Sequence, residues 1–255
     1  MQKEERLKII VALIDQYGKV EVEGLARHFD VSRMTVRRDL RELEMDGLLK
    51  KVYGGAYSTA NLPIHNVNDI YVRMKLLAQE KQNIAKKIAA MIQTGEMIFI
   101  GSGTTTTYLA KALSLRSDIV VVTNALTVVE ELATNGSMTV ITVGGFLRRN
   151  EYSFYGHFSE RILRDLRVDK VIMGMRGIHP DYGLTSDFPQ ELQTDREIIS
   201  TGSNVIIAGD RTKIGYIATT LVAPITKANI IVTSKGADEN TIRKIQQTGP
   251  KVIIA

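Results

Sequence analysis

The spacing of apolar residues along the chain changes near Met97. Before that position apolar side chains recur every three or four residues, which is the spacing of amphipathic helices. This pattern predicts a helix over 3–17, two short helices within 21–46 and a long helix over 69–93. After that position the apolar residues form short unbroken runs, which suit strands buried on both faces of a sheet. The runs occupy residues 97–100, 119–122, 138–143, 171–174, 205–208, 230–233 and 252–254.

Helical stretches lie between most of these runs. Alternation of strand and helix predicts an α/β domain with a largely parallel sheet that helices cover on both faces. The segment before it lacks periodicity and contains Pro63, so it is predicted to be a linker. We therefore expect a DNA-binding domain over 1–57, a linker over 58–68 and an α/β domain over 69–255.

The two short helices within 21–46 are joined by a tight turn. Val36, Leu40 and Leu43 repeat at helical spacing and form the buried stripe of the second helix. Ser32 suits its N-cap, because a serine hydroxyl can accept a free amide hydrogen of the first turn. A second helix with an outward face of arginines is the pattern of a helix-turn-helix that reads the major groove of DNA. The outward residues are Met34, Arg37, Arg38, Arg41 and Met45.

The segment after the second helix predicts a basic wing. Leu48 to Val52, followed by Gly54 and Gly55, has the pattern of a strand that enters a hairpin turn. Two lysines lie on this strand, where they are expected to contact phosphate. The candidate DNA-binding residues are Ser32, Arg33, Met34, Thr35, Arg37, Arg38, Arg41, Lys50 and Lys51.

The charge pattern allows a second interpretation of this helix. Asp39, Glu42, Glu44 and Asp46 could offset the arginines, and the segment 33–46 would then be an ordinary solvated helix. The net charge of +5 does not decide between the two, because it is spread over the chain. Local clustering does, since residues 27–41 hold five arginines and two aspartates. Together with the turn and the wing, this clustering favours DNA binding.

The loop Gly101–Thr107 follows the first apolar run and opens a predicted helix over 104–114. Ligands of open α/β sheets bind beyond the carboxyl ends of the strands. Threonine hydroxyls and free amides at a helix N-terminus can bind an anion, most naturally a phosphate. The loop matches neither a P-loop nor a dinucleotide-binding motif. The alternative is a plain strand-to-helix turn with a threonine cap, but four consecutive threonines exceed what a cap needs.

Three more polar segments follow predicted strands, and together they predict a pocket for a phosphorylated polyol. Cations and amides would bind the phosphate, while asparagine and aspartate would bind sugar hydroxyls. The candidate effector-binding residues are Gly101, Ser102, Gly103, Thr104, Thr105, Thr106, Asn124, Gly144, Gly145, Arg148, Asp210 and Lys213.

These segments also carry a resemblance. The stretch VSRMTVRRDLRELEMDGLLKKVYGGA resembles the signature of the DeoR family, bacterial repressors of sugar-utilisation operons. The second half is similar to the family's effector domain, whose motifs read approximately D-x-G-T-T, T-N-S, G-G-x-x-R and D-x-[ST]-K. The resemblance therefore covers essentially the whole chain. The matching positions are Gly103-Thr104-Thr105, Thr123-Asn124, Gly144-Gly145 with Arg148, and Asp210 with Lys213.

The resemblance implies a winged helix-turn-helix followed by an α/β effector domain that resembles ribose-5-phosphate isomerase. It implies a repressor of a carbohydrate-utilisation operon that leaves its operator when a phosphorylated sugar binds. Two positions depart from the family pattern. Gly101 replaces the usual aspartate and Ala125 replaces serine, so a carboxylate and a hydroxyl are missing from the expected pocket.

Two other functions are compatible with parts of the chain. One is a phosphosugar isomerase with an accessory domain, in which Asp210 and Lys213 would serve as acid and base. The other is a DNA-architectural protein without an effector. The first leaves the DNA-binding unit without a role, and the second leaves a large α/β domain without one. The expected partners are thus double-stranded operator DNA, a phosphorylated sugar and further copies of the chain, as a dimer or tetramer.

The composition excludes several other classes. The chain has no cysteine, so it has no disulfide framework and no thiolate metal site, and its four histidines lack paired ligand spacing. No apolar run approaches the roughly 20 residues that span a bilayer. The first residues lack the pattern of a signal peptide. We expect a cytoplasmic protein that has no membrane partner, no cofactor and no metal.

Overall fold

A computed structural model of the chain describes residues 3–17, 19–45, 48–52, 54–58, 70–134 and 136–255. The chain divides into two units between Leu76 and Leu77. The boundary expected from the sequence lies earlier, at residue 69, and residues 59–68 of the predicted linker are outside the described residues. Each unit has its own apolar core.

The first unit is a winged helix-turn-helix. Its strands form an antiparallel sheet in which β3 lies between β1 and β2. The short strand β1 was not predicted. It depends on Gly55 across the sheet, because a Cβ atom there would lie 2.1 Å from the Val20 carbonyl oxygen. The elements are α1 (Lys3–Tyr17), β1 (Lys19–Glu21), α2 (Val22–Phe29), α3 (Arg33–Met45), β2 (Leu49–Val52), β3 (Gly55–Ser58) and α4 (Ile70–Lys75).

Helical spacing identified the core of this unit correctly. Val36, Leu40 and Leu43 on α3 are at most 3% exposed, and they pack with Ile10 and Ile14 of α1. The bounds of α1 agree with the predicted 3–17. The pattern of buried and exposed positions on α3 therefore fixes which face of this helix is left outward.

A buried ion pair joins α1 to α3. Arg6 donates from Nε to Asp39 Oδ2 at 2.5 Å and from Nη2 to Asp39 Oδ1 at 3.1 Å. The Asp39 side chain is fully buried and that of Arg6 is 7% exposed. The hydrogen bond that Arg6 donates to Asp39 raises the pKa of the Arg6 guanidinium. The pair fixes the recognition helix on the core from the side opposite its outward face.

The prediction of one long helix over 69–93 is wrong. Helix α4 ends at Lys75, and α5 (Ala78–Ala89) starts after Leu77, which is left-handed with φ 53° and ψ 34°. A left-handed residue cannot continue the α-helical hydrogen-bond pattern, so the chain forms two helices. Ile84 and Ile88, which have helical spacing, are nevertheless buried, and both lie on α5.

The second unit is an α/β domain, as predicted. Its main sheet has the order β15-β14-β12-β9-β4-β5-β6, and every neighbouring pair in it is parallel. The elements after α5 are β4 (Met97–Ile100), α6 (Thr104–Leu113), β5 (Val120–Thr123), α7 (Leu126–Leu132), β6 (Thr139–Thr142), β7 (Phe146–Arg148), β8 (Ser153–Tyr155), α8 (His157–Asp165), β9 (Val168–Gly174), β10 (Gly177–His179), β11 (Gly183–Ser186), α9 (Leu192–Thr201), β12 (Gly202–Ala208), β13 (Thr220–Ala223), β14 (Ile230–Thr233), α10 (Glu239–Gln247) and β15 (Lys251–Ile254).

All the predicted apolar runs lie in this sheet, and successive residues of a strand enter opposite cores. Phe99 packs in one core, while its neighbours Ile98 and Ile100 pack in the other. The antiparallel elements were missed. The hairpin β7–β8 and the small sheet β10-β11-β13 are built from strands of three or four residues, too short for periodicity to identify.

Within the described residues, the structure has no helix whose length and apolar character would let it cross a membrane.

Replacing Asp39 tests the buried ion pair. Asp39→Ala leaves the Arg6 guanidinium buried without its partner, which costs about 3–5 kcal/mol when one member of such a pair is removed. We expect the midpoint of urea unfolding of the first unit to fall accordingly.

The matched control is Glu42→Ala, which removes the ion pair between Glu42 and Lys3 from the same two helices at the surface. Exposed pairs contribute at most about 1 kcal/mol. Equal destabilisation by the two variants would show that burial of Asp39 does not matter.

Candidate functional site

The outward face of α3 is the candidate DNA-binding surface. Arg37, Arg38 and Arg41 are exposed, and Met34 in the first turn of the helix is 70% exposed. The turn before the helix is capped as predicted, because Ser32 Oγ accepts from the Thr35 amide at 3.1 Å. The Ser32 and Thr35 hydroxyls also share a hydrogen bond of 2.9 Å. The helix therefore presents a preformed, rigid first turn.

The acidic residues of this helix do not neutralise those arginines. Asp39 is buried against Arg6, Glu42 pairs with Lys3 at 2.6 Å, and Glu44 accepts the Lys51 amide at 2.9 Å. Asp46 lies outside the described residues. In the described part of the chain, Arg37, Arg38 and Arg41 have no ion-pair partner, and this favours a surface that binds an anion. Arg33 differs from these three arginines, since it forms an exposed ion pair with Glu23.

The wing is present beside this helix. Strands β2 and β3 form the expected hairpin, and Gly54 in its turn has φ 87°, which favours glycine. Lys51 lies on β2 and is partly exposed. Lys50 lies on the same strand, but its side chain is outside the described part of the structure.

The predicted effector residues other than Arg148 follow strands of the main sheet, at the carboxyl ends of these strands, whereas Arg148 lies on β7. Strands β4, β5 and β6 are direct neighbours, so the segments that follow them are adjacent. Strand β9 separates β4 from β12, so Asp210 lies two strands from Gly101. Sequence reasoning missed Gly174 at the end of β9, between these loops. A Cβ atom there would lie 3.4 Å from the Ser102 carbonyl oxygen, so glycine leaves the space between the loops free.

The first turn of α6 divides the threonines into two groups. Thr106 and Thr107 donate their hydroxyls to the Gly103 carbonyl, each at 2.8 Å, and these hydroxyls therefore serve the protein itself. The hydroxyls of Ser102, Thr104 and Thr105 have no hydrogen-bond partner among the residues that the structure describes. The amide hydrogens of a helix's first turn also lack intrahelical partners. This turn can therefore offer hydroxyls and amides to an anion.

Asn124 has a half-satisfied buried side chain beside that turn. It is 1% exposed, and its Nδ2 donates to the Phe154 carbonyl at 2.9 Å. Its Oδ1 is buried without a hydrogen-bond partner in the described structure. An unmet buried acceptor costs about 1–3 kcal/mol, so a ligand hydroxyl that donates to it would bind favourably.

Gly144 and Gly145 differ in their surroundings, because only Gly145 is closely packed. The Gly144 carbonyl accepts from Ser159 Oγ at 2.7 Å. A Cβ atom on Gly145 would lie 2.3 Å from the same Ser159 oxygen and 2.6 Å from the Tyr155 carbonyl oxygen. The absence of a side chain at Gly145 lets the loop after β6 pack closely on α8 and β8, whereas a Cβ atom on Gly144 would meet no atom within 4 Å.

Arg148 contacts two carboxylates and an aromatic ring. It donates to Glu191 Oε2 at 2.6 Å, lies 3.7 Å from Glu151, and stacks on the Phe188 ring at 4.1 Å from its centroid. Ser153 donates to the other Glu191 oxygen at 2.8 Å. The structure thus pairs this arginine with carboxylates, and a direct role in phosphate binding would require it to exchange partners.

Asp195 belongs to the same cluster of charges. Burial, followed by the neighbouring charge of Glu191, raises the pKa of the Asp195 carboxyl well above its usual range. Arg148 lowers that pKa, but it offsets only part of the effect. Sequence reasoning missed both carboxyl groups, because they lie far from Arg148 in the chain.

The turn after β12 orders the last two predicted residues. Asp210 is 2% exposed, and its Oδ1 accepts from the Thr212 amide at 3.1 Å and from the Thr212 hydroxyl. This carboxylate therefore caps the 3-10 turn Arg211–Lys213. Its second oxygen has no hydrogen-bond partner in the described part of the chain. Lys213, partly exposed, ends the same turn.

Comparison with known families decides the identity. A model of the DeoR-like helix-turn-helix domain matches residues 6–61, and a model of the DeoR C terminal sensor domain matches residues 77–235. The chain belongs to the DeoR family.

Relatives of this DeoR-family chain are similar along nearly their whole length. The glycerol-3-phosphate regulon repressor of Escherichia coli is 33% identical over 91% of both chains. The regulator GolR of Listeria innocua is 30% identical over 98% of both chains. The transcriptional repressor AccR of Agrobacterium fabrum is 32% identical over 91% of this chain and 90% of its own. These relatives are named as regulators or repressors, so the chain is a DNA-binding transcriptional regulator and not an enzyme.

Solved structures give weaker matches. A D-ribose-5-phosphate isomerase in complex with phospho-erythronic acid has a TM-score of 0.40 at 19% identity, and the match covers 53% of each chain. The protein eIF2B beta from Chaetomium thermophilum has a TM-score of 0.41 at 14% identity over 82% of this chain and 55% of its own. No conclusion about function rests on these similarities.

Asp195→Asn tests the raised pKa. An aspartate ionises near pH 4 in the unfolded chain, but only at higher pH in the fold. Between these two values the folded state binds more protons, so the stability of the wild type falls as the pH rises. The variant lacks this loss, and we expect it to gain stability relative to the wild type between pH 5 and pH 8, measured by urea unfolding.

Asp165→Asn, at the exposed end of α8, is the control and should not change the pH dependence. If the free energies of unfolding of the wild type and Asp195→Asn differ by a constant amount over this pH range, the raised pKa of Asp195 is contradicted.

Proposed function

We propose that this regulator is a repressor of a carbohydrate-utilisation operon, and that it leaves its operator when a phosphorylated sugar binds to the second unit. The proposal rests on the combination of two sites in one chain. Arginines without ion-pair partners lie outward on α3, and unpartnered hydroxyls, amides and the Asn124 Oδ1 lie at the carboxyl edge of the sheet. Since operator DNA lies in the cytoplasm, we propose that compartment for its action.

The residues at the sheet edge support a small polyol phosphate as the effector. The first turn of α6 suits the phosphate, because its amides and the hydroxyls of Thr104 and Thr105 belong to one helix N-terminus. Asn124 and Asp210 offer acceptors for hydroxyl groups. Lys213 can add a positive charge. The similar regulator from Escherichia coli is named for glycerol 3-phosphate, which belongs to this chemical class.

We propose a homo-oligomer, a dimer or a tetramer, that binds repeated half-sites. One recognition helix contacts only a few base pairs, which is too little to mark a unique genomic site. For release, the effector must bind the DNA-free arrangement more tightly than the DNA-bound one. A hundredfold loss of operator affinity requires about 2.7 kcal/mol of coupling, which is within the ordinary allosteric range.

Arg38→Ala tests the DNA-binding face. If Arg38 contacts a base, the variant should bind a duplex selected by the wild type from a random library about 1–3 kcal/mol more weakly. Lys51→Ala should weaken binding to any duplex and lower the salt dependence of log K by about 0.9, the value for one phosphate. Electrophoretic mobility shifts at several salt concentrations measure both effects.

Arg161→Ala is the control, because Arg161 is an exposed arginine on α8 of the second unit. It should bind like the wild type. The assigned face is wrong should all three variants bind the selected duplex equally well.

The class of effector is tested by measuring the unfolding temperature of the protein with glycerol 3-phosphate, ribose 5-phosphate, fructose 6-phosphate or glucose 6-phosphate. Each compound is compared with its unphosphorylated form. Only phosphorylated compounds should stabilise the wild type, since a ligand raises the stability of the state that it binds. For the compound that binds, Thr104→Val with Lys213→Ala should abolish its release of DNA and leave DNA binding intact.

Thr134→Val controls for the loss of a threonine hydroxyl. Thr134 follows α7 and precedes the amino end of β6, whereas the candidate site lies at the carboxyl ends of the strands. It should respond like the wild type. A normal response of the double variant would place the effector site elsewhere, and stabilisation by unphosphorylated sugars alone would exclude the phosphate.

A further inference from the structure

A carboxylate in the first turn of α5 is hydrogen-bonded to two strand ends of the main sheet. Glu80 Oε2 accepts from Ser234 Oγ at 2.5 Å, and Glu80 Oε1 accepts from Arg211 Nε at 3.2 Å. The triangle is closed by the Arg211 amide, which donates to Ser234 Oγ at 2.8 Å. Ser234 is 1% exposed, so this link is shielded from water at its centre.

The three residues come from distant parts of the chain. Arg211 opens the turn that Asp210 caps, the same turn that ends in Lys213. Ser234 follows β14, which is the neighbour of β12 in the sheet. Glu80 is separated from Arg211 by 131 residues and from Ser234 by 154 residues. The triangle therefore joins the candidate effector turn to the first helix of the second unit.

Helix α5 also packs against the other half of the candidate effector site. Its residues Ile84 and Ile88 lie in one apolar core with Leu109 of α6 and Ala208 of β12. The amino-terminal turn of α6 carries the unpartnered threonine hydroxyls. Thus α5 touches both elements that are expected to bind the effector, one by apolar packing and the other through Glu80.

The start of α5 is also where the second unit begins. Leu77 is the first residue of this unit, and its left-handed φ of 53° separates α5 from α4. A non-glycine residue in this conformation costs free energy and persists only where its surroundings hold it. The Lys81 amide bonds to the Leu77 carbonyl at 3.1 Å, so this joint and Glu80 lie within one helical turn.

We propose that Glu80 is the positioning residue through which the turn after β12 controls the orientation of α5, and hence the joint at Leu77. A hydrogen bond between a hydroxyl and a carboxylate is short and strong, and a buried one responds to small displacements of either partner. Movement of Asp210 or Lys213 shifts the Arg211 amide, then Ser234 Oγ, and then Glu80. That a bound sugar phosphate causes this movement rests on the function proposed above. The hydrogen-bonded connection between the turn and Glu80 does not rest on it.

The link can be tested on the full chain without any ligand. Asp210→Ala removes the cap of the turn, and we expect amide hydrogen exchange from Lys81 to Ala85 to become about threefold faster. In a Glu80→Ala background the same change should have no additional effect, because changes within one hydrogen-bond network are coupled whereas independent ones are additive. Ser234→Ala combined with Arg211→Ala removes both side chains that donate to Glu80, and this pair of changes should give the same result as Glu80→Ala.

Glu130→Ala is the matched control, since Glu130 is an exposed glutamate on α7 without a hydrogen bond or ion pair in the described structure. In this background Asp210→Ala should still accelerate exchange in α5. The proposal is overturned if Asp210→Ala leaves α5 unchanged in the wild type, or accelerates it equally in the Glu80→Ala background.

The sugar-phosphate panel provides the second arm. For a compound that stabilises the wild type, the Glu80→Ala variant should bind the compound with an affinity within about threefold of the wild type. The factor by which the compound weakens DNA binding should be at least about tenfold smaller in this variant. A variant that loses affinity and release together would contradict a transmitting role. If no compound of the panel binds the wild type, the effector proposal fails, and the exchange experiment still decides the role of Glu80.

Discussion

The fully parallel sheet of the second unit is the constraint on which the candidate site depends. Parallel strands must be joined by crossovers, so helices cover both faces and all the carboxyl ends meet at one edge. Loops that are far apart in sequence thereby become neighbours. The segments after β4 and β5 adjoin directly, and the bare backbone of Gly174 keeps the space toward the turn after β12 free. The architecture thus concentrates polar groups before any ligand is considered.

In the first unit, the partners of the acidic residues decide what the recognition helix can do. By composition α3 is nearly balanced, and its net charge alone would not indicate a DNA-binding surface. The structure directs Asp39 inward to Arg6, Glu42 to Lys3 and Glu44 to the backbone of the wing. The arginines are left outward, so a helix of modest net charge presents a strongly basic face.

The second unit treats its charged residues differently. Arg148 is held by Glu191 and Glu151, and the raised pKa of Asp195 reflects the same crowding of carboxyl groups. This cluster supports the hairpin β7–β8, whose Phe154 carbonyl in turn holds the Asn124 amide. A residue expected to bind phosphate thus pairs with carboxylates that support this hairpin, and in the described part of the chain Asn124 Oδ1 is left without a hydrogen-bond partner.

The sequence by itself determined most elements whose signal is local, although helical spacing joined α4 and α5 into one helix. Helical spacing gave α1 and the buried stripe of α3, and unbroken apolar runs gave the strands of the main sheet, because burial on one or both faces imposes a short-range pattern. The tertiary structure decided what depends on distant partners. Asp39 meets Arg6 across 33 residues, Arg148 meets Glu191 across 43, and Arg211 meets Glu80 across 131. Spacing cannot reveal such pairs, since a charged side chain carries the same local signal whether it is solvated, paired or bound to a ligand.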